Sequence, residues 1–247
     1  FLSSILLYFP IDFLFADFTM EDNPGLSPQV RERYRTMFQG TFYRRFVLGE
    51  WTAAAGLVYD FFSREMVCEP PEGRAAEWYI SCDYGTVNPT SMGLWGRWGE
   101  AWYRVEEFYY DSRREGRQKT DSEYADALEA LADGRPIREV VADPSAASFL
   151  ECLRRRGWQV RRAENEVLSG IRTTAELLRT GRLVICPGCG DAIREFGLYR
   201  WDTSAGGRDQ VCKEHDHAMD DIRYFAVTVA AKERGGSWAG SVERRIF

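Results

Sequence analysis

Residues 77–111 constrain the fold more than any other part of the chain. Three runs rich in β-branched and aromatic residues, EWYISCDYG (77–85), TSMGLWGRW (90–98) and AWYRVEEFYYD (101–111), follow one another closely. Asn88-Pro89 and Gly99-Glu100 separate them, and both pairs are turn formers. Strand runs joined by such short turns predict a three-stranded antiparallel meander.

Beyond residue 120 the period changes. Thr120 or Asp121 is placed to cap a helix, SEYADALEALAD, whose apolar residues recur at helical spacing. IREVVADP (137–144) is a short strand. Ser145 is placed to cap a second helix, AASFLECLRRRG, stopped by Gly157. WQVRRA reads as a strand, EVLSGIRTTAELLRTG as a helix ended by Gly181, RLVIC as a strand and GDAIREFGLYRW as helical. Residues 202–214 read as loop or hairpin, and DHAMDDIRYFAVTVAAKE as a final long helix. Strand–helix alternation implies parallel neighbours. A meander joined to βαβ units is the ribonuclease H-like order, so an α/β fold with one mixed sheet and flanking helices is expected.

At 247 residues and 45% hydrophobic, the chain can bury a full core with an appendage. It begins at Phe1 and reads as a piece of a longer protein. The apolar opening FLSSILLYFPIDFLFADF is interrupted by Pro10, Asp12 and Asp17 and lacks a basic flank. It is too broken to span a bilayer and is expected to be a core strand belonging to a preceding domain. Turn signals at Asn23-Pro24-Gly25 and Ser27-Pro28 open a helical run to about Phe38, and Gly49-Glu50-Trp51 closes that segment.

Six cysteines are scattered, and only Cys186 and Cys189, in CPGC, have a metal-like or redox-like spacing. No second pair stands at a suitable distance in sequence. Cys212, His215 and His217 could join in space, but reduced structural thiols are the favoured reading.

The chain concentrates acids where chemistry is cheapest to build. Asp83 ends the first meander strand among apolar and aromatic neighbours, where a lone carboxylate is costly unless paired, hydrogen-bonded or coordinating a cation. Asp143 ends the strand in IREVVADP (137–144); an Asp-Pro turn capping the next helix is its structural alternative. HDHAMDDIRY (215–224) opens the last helix with both histidines and three acids. At helical spacing His217 and Asp220 share a face, and Asp221 points away from it. Asp216 is better suited to complement the positive helix end. Asp83, Asp143 and Asp220 together would form an all-oxygen site suited to Mg²⁺ or Mn²⁺, with His217 as a ligand or proton carrier. Two such ions about 4 Å apart would clamp an in-line phosphoryl displacement. Glu107 is a reserve candidate, since Glu106 and Glu107 alternate faces.

The net charge of −6 argues weakly against nucleic acid, but its distribution is uneven. Between Leu153 and Arg182 eight arginines face three glutamates. Arg154, Arg155, Arg156, Arg161 and Arg162 are the candidate phosphate contacts; a solvated helix face is the alternative.

The pieces DNPGLS, RRFVLGEW, GLVYDFF, DYGTVNPTSMGLWG, VEEFYYDS, ADPSAASFLECLRRRGWQV, GIRTTAELLRTGRLVI, EFGLYRWD and HAMDDIRY stand in one order. In that order they resemble the C-terminal nuclease of tailed-phage terminase large subunits, most closely the PBSX-type branch. The resemblance runs from about residue 19 to 233. It implies a packaging-motor subunit whose nuclease cuts concatemeric double-stranded DNA with two Mg²⁺ or Mn²⁺ ions. It also implies portal protein and small terminase subunit as partners, no membrane, and action in the cytoplasm of an infected or lysogenic host. The family's catalytic acids carry over to Asp83, Asp143 and Asp220, with His217 beside them and Asp221 as second choice. On this basis residues 1–55 are a remnant or linker of an upstream ATPase domain, 56–235 the nuclease and 236–247 a tail. No GxxxxGK[ST] occurs, so this stretch has no such ATPase site. Two other readings stand beside this one: a non-catalytic docking module, and another ribonuclease H-like enzyme such as a resolvase or transposase.

Overall fold

A computed structural model describes residues 7–8, 13–14, 23–37, 56–202 and 210–232. Gly49-Glu50-Trp51 and residues 236–247 lie outside these. The chain divides into two compact units, residues 1–63 with 196–215, and residues 64–195 with 216–247. The first unit contains β1 (Leu7–Tyr8) paired antiparallel with β2 (Phe13–Leu14), and α1 (Pro28–Met37). Within the apolar opening the described residues are thus two short paired strands rather than one. In the same unit the Val58 N–H donates to the Tyr199 carbonyl at 2.9 Å, and the Tyr59 and Phe196 rings meet edge to face. Those contacts draw 56–63 and 196–215 together.

The second unit is built on β3 (Trp78–Asp83), β4 (Thr90–Trp98) and β5 (Ala101–Tyr110), followed by α2 (Asp121–Ala132), β6 (Ile137–Ala142), α3 (Ala147–Arg155), β7 (Val160–Arg162), α4 (Val167–Arg179), β8 (Leu183–Ile185), α5 (Gly190–Phe196) and α6 (His217–Phe225). The six strands lie in the order β7-β6-β3-β4-β5-β8. The β3-β4-β5 meander is antiparallel; β6 pairs parallel with β3, β7 with β6, and β8 with β5. This mixed sheet is ribonuclease H-like.

Strand alternation decides which face each residue meets. Ile80, Cys82, Met92, Leu94, Val140 and Ala142 face α2 and α3 and are closed over by Tyr124, Leu128, Phe149 and Leu150. The other face carries Tyr79, Ser81 and Asp83, and α6 packs there: Phe225 stacks on Trp95 with centroids 4.2 Å apart and meets Trp102 edge-on. α2 starts where the sequence predicts, with Thr120 and Glu123 completing a capping box.

Three local expectations change. Ser145 does not cap α3; the cap position is Ala146, whose methyl group can make no capping bond, and Asp143 Oδ1 accepts the Ser145 N–H at 2.7 Å in the preceding turn. The helix at 190 stops at Phe196, and Trp201 instead bridges antiparallel to Val211 across residues 203–209, which lie outside the described ones. The final helix is α-helical only to Phe225 and continues as a π-helix, Ala226–Ala230. Among the described residues no helix is long and apolar enough to cross a membrane.

Candidate active site

Two aspartates meet because two strands run parallel in register. Cys82 pairs with Ala142, and the Asp143 N–H continues the ladder to the Cys82 carbonyl at 3.3 Å. Asp83 and Asp143 therefore stand side by side at adjacent strand ends, on the face covered by α6. Neighbouring strands lie about 4.8 Å apart, close enough for like charges to repel strongly in a partly buried place.

α6 supplies the third side. Positions 217, 220 and 224 form one helical stripe. His217 Nδ1 lies 3.0 Å from Asp83 Oδ2 at its upper end, and the Tyr224 hydroxyl donates to Asp143 Oδ2 at 2.9 Å at its lower end. Asp220 lies between them and accepts from Arg223 Nη2 at 2.8 Å. The helix thus spans both strand-end acids, with Asp220 on the stripe between its two contacts and near enough to raise the Asp83 carboxyl.

The electrostatics agree with this crowding. Burial pushes the Asp83 carboxyl up to about 7, Asp220 and Asp221 push it the same way, and the His217 hydrogen bond opposes them. The Tyr224 phenol is held well above its ordinary value, by burial and then by Asp83, Asp220 and Asp143. One hydroxyl senses all three acids. His217 is raised against the effect of burial by Asp83 first, then Asp216 and Glu195.

Asp221 belongs to another environment. It is fully buried, 2.7 Å from Arg104 Nη2, and accepts from the Ser91 hydroxyl at 2.9 Å. Arg104 is also fully buried, and a Cβ on Gly93 would fall 2.0 Å from its Nη1, so only glycine leaves room for the guanidinium. Glu107 is equally committed: its carboxylate accepts from the Asp191 N–H at 2.6 Å, at the start of α5. Asp216 occupies the cap position of α6, but its side chain makes no capping bond. Glu195, fully buried, does that work, accepting from the Ala218 N–H at 2.7 Å and the Tyr109 hydroxyl at 2.6 Å. Sequence reasoning missed Glu195, which is distant in sequence, and did not single out Tyr224. The seven-residue step from His217 to Tyr224 is the signal that marks Tyr224.

The predicted basic residues are dispersed. Arg155 pairs with Glu151, Arg156 with Asp126 and Glu129 of α2, and Arg161 with Glu139. Arg154 and Arg162 are exposed. Arg162 pairs in register with Ala142, so it shares the edge that carries Asp143. Arg154, Arg155 and Arg156 stand at the far end of α3, whose nine residues rise roughly 13 Å away from that edge. Cys186 and Cys189 are buried free thiols joined by a tight turn, with the Cys189 thiol donating to the Arg104 carbonyl at 3.1 Å.

Among the described residues no three His, Cys, Asp or Glu side chains converge as a ready metal cage. The donor set nevertheless suits a hard divalent cation: Asp83, its carboxyl raised by burial and by Asp220, stands with Asp143 and Asp220 around the Tyr224 hydroxyl, whose phenol all three raise. Asp83 and Asp143 are turned onto neutral or titratable partners, which a cation can displace by side-chain rotation.

The chain is 43% identical to the large terminase of a thermophilic bacteriophage, over 86% of this chain and 54% of that one, with a TM-score of 0.80. It spans about half the length of that protein. The nuclease domain of the P22 large terminase aligns over 72% of this chain and 94% of its own, at 18% identity and a TM-score of 0.57. The large terminase nuclease of thermophilic phage G20c covers 71% and 98%, at 17% and 0.52, and also has a structure with bound magnesium. At such identities those two share the fold. No family model and no curated relative matches the chain.

Proposed function

We propose that this chain, which belongs with the bacteriophage large terminases, is the nuclease part of a DNA-packaging terminase and hydrolyses phosphodiester bonds of double-stranded DNA with divalent metal. The observation that carries the reading is the in-register pair Asp83 and Asp143 faced by Asp220 from α6. Asp83, Asp143 and Asp220 are the residues that would hold Mg²⁺ or Mn²⁺. Bound there, two ions would supply the positive charge that activates water and steadies the leaving oxygen. The magnesium-bound G20c domain shares this fold and supports the reading at that level.

The chain's own residues do the rest. His217 sits on Asp83 and can hold or pass a proton beside the attacking water. Tyr224 orients Asp143 through its hydroxyl. The Arg223 guanidinium pins Asp220, so the acid least supported by the sheet is fixed from its own helix. Glu195 caps α6 and so sets where His217 enters. The whole terminase's partners, portal and small subunit, and its place in the host cytoplasm are part of the same proposal.

The test is cleavage of plasmid DNA with Mn²⁺ or Mg²⁺ present. Asp83→Asn and Asp143→Asn are expected to abolish cutting and Asp220→Asn to reduce it at least a hundredfold, with circular dichroism unchanged. If wild type cuts no faster than Asp83→Asn at high protein concentration, the acids are structural and a docking module takes the reading's place. A preference for four-way junctions over linear duplex would favour a resolvase.

A further inference from the structure

Arginines other than those the sequence singles out stand near the edge that carries Asp83. Antiparallel register carries the edge that ends in Asp83 across the meander: Asp83 pairs with Ser91, and Thr90 with Tyr110. Two loops leave the sheet at that edge, 84–89 after Asp83 and 111–119 after β5. They are tied together, since Arg113 Nη2 donates to the Asn88 side-chain oxygen at 3.0 Å.

The first loop is built rigidly. Thr90, itself fully buried, accepts from the Gly85 N–H at 3.1 Å and donates to the Gly85 carbonyl at 2.9 Å. A Cβ on Gly85 would fall 2.5 Å from the Asn88 carbonyl oxygen, so glycine alone permits the closure. This fixed loop holds Val87 at 47% exposure, the one large hydrophobic exposed among the described residues. A preorganised apolar group left in water gains free energy from whatever covers it.

The second loop brings charge. Arg113, Arg114 and Arg117 are exposed. Arg113 bonds a neutral amide, and the Arg114–Glu115 pair at 3.3 Å is open to solvent, so it is worth little against a phosphate. By contrast Arg156 is held by Asp126 and Glu129 of α2 and Arg161 by Glu139, while Arg154 and Arg155, the latter in an equally open pair with Glu151, stand at the far end of α3; Arg162 is exposed beside the Asp143 edge but outside these two loops.

We propose that loops 84–89 and 111–119 form one duplex-binding rim, in which Arg113 and Arg114 contact backbone phosphates and Val87 is covered by the sugar edge of the strand delivered to the acids. This deepens the nuclease reading and rests on it. The rim lies where the scissile strand must enter, and rigid planar guanidinium forks suit phosphate oxygens better than a flexible ammonium does.

Binding of the full chain to a linear duplex is measured by fluorescence anisotropy across a salt series, with Ca²⁺ in place of Mg²⁺. Arg113→Ala with Arg114→Ala is expected to weaken binding roughly tenfold and to lower the slope of log affinity against log salt by about 1.8. Arg113→Lys with Arg114→Lys, which keeps the charge, retains the slope. Val87→Ser weakens binding a few-fold at unchanged slope, and Arg154→Ala with Arg155→Ala changes neither. Asn88→Ala separates direct contact from loop support: it leaves the slope intact if Arg113 touches phosphate. An unchanged slope in the arginine-to-alanine pair, or the same loss in Asn88→Ala, overturns the rim while wild-type plasmid cleavage keeps the nuclease. A wild-type chain that neither binds nor cuts overturns both.

Discussion

Asp83 ties the protein's stability to its chemistry. Its folded value of about 7 lies above the ordinary carboxyl value of 3.8. Between those values the folded chain keeps a proton that the unfolded chain has released, so stability falls as pH rises from about 4 to 7 and levels off above. His217, raised above 6.5 by Asp83, acts in the same direction: its stabilisation is present at low pH and is lost as pH rises through its folded value. The rise of Asp83 from 3.8 to about 7 corresponds to at most about 4 kcal/mol. Urea melts in EDTA are expected to show wild type less stable at pH 8 than at pH 5, and Asp83→Asn with a smaller difference. Parallel curves for the two proteins would remove Asp83 from the account. The sequence made Asp83 suspicious through its apolar neighbours. It could not give the raised value, because Asp220 and His217 reach it from more than 130 residues away.

At the scale of elements, α6 does two jobs on two faces. His217, Asp220 and Tyr224 look to the strand ends, while Asp221 and Phe225, four residues apart, look to the sheet. The buried Arg104–Asp221 pair locks the second face beneath the first. Breaking one partner strands a buried charge, so Asp221→Ala is expected to cost about 3–5 kcal/mol in urea unfolding. Arg104→Met with Asp221→Leu should cost less than either single change, and a double-mutant cycle that is simply additive would refute the pairing argument. Helical periodicity separated Asp220 from Asp221 onto different faces, but it said nothing of Arg104. That partner arises from the register of β4 and β5 and from the space at Gly93.

For the whole molecule, a net charge of −6 and a cluster of mutually repelling acids make cations a natural stabiliser. A ligand that binds the folded state alone raises the melting temperature with its concentration. Mn²⁺ or Mg²⁺ at pH 8 is expected to do so in wild type by several degrees, and Asp143→Asn is expected to lose most of that rise. Equal shifts in both proteins would mean that the ions bind elsewhere.

The sequence by itself determined the antiparallel meander, the strand–helix alternation after residue 120 and the identity of the acids, because turn residues, period and burial cost are local properties. Tertiary structure decided which of those acids meet. Parallel register between β3 and β6 set Asp83 beside Asp143, and the packing of Phe225 on Trp95 laid α6 across both. It also dispersed the arginines. Charge counted along a chain ignores the partners that folding supplies, so Arg156 looked available in sequence and is paired in space with Asp126 and Glu129, while Arg113 stands near the Asp83 edge through a strand pairing that no local pattern encodes.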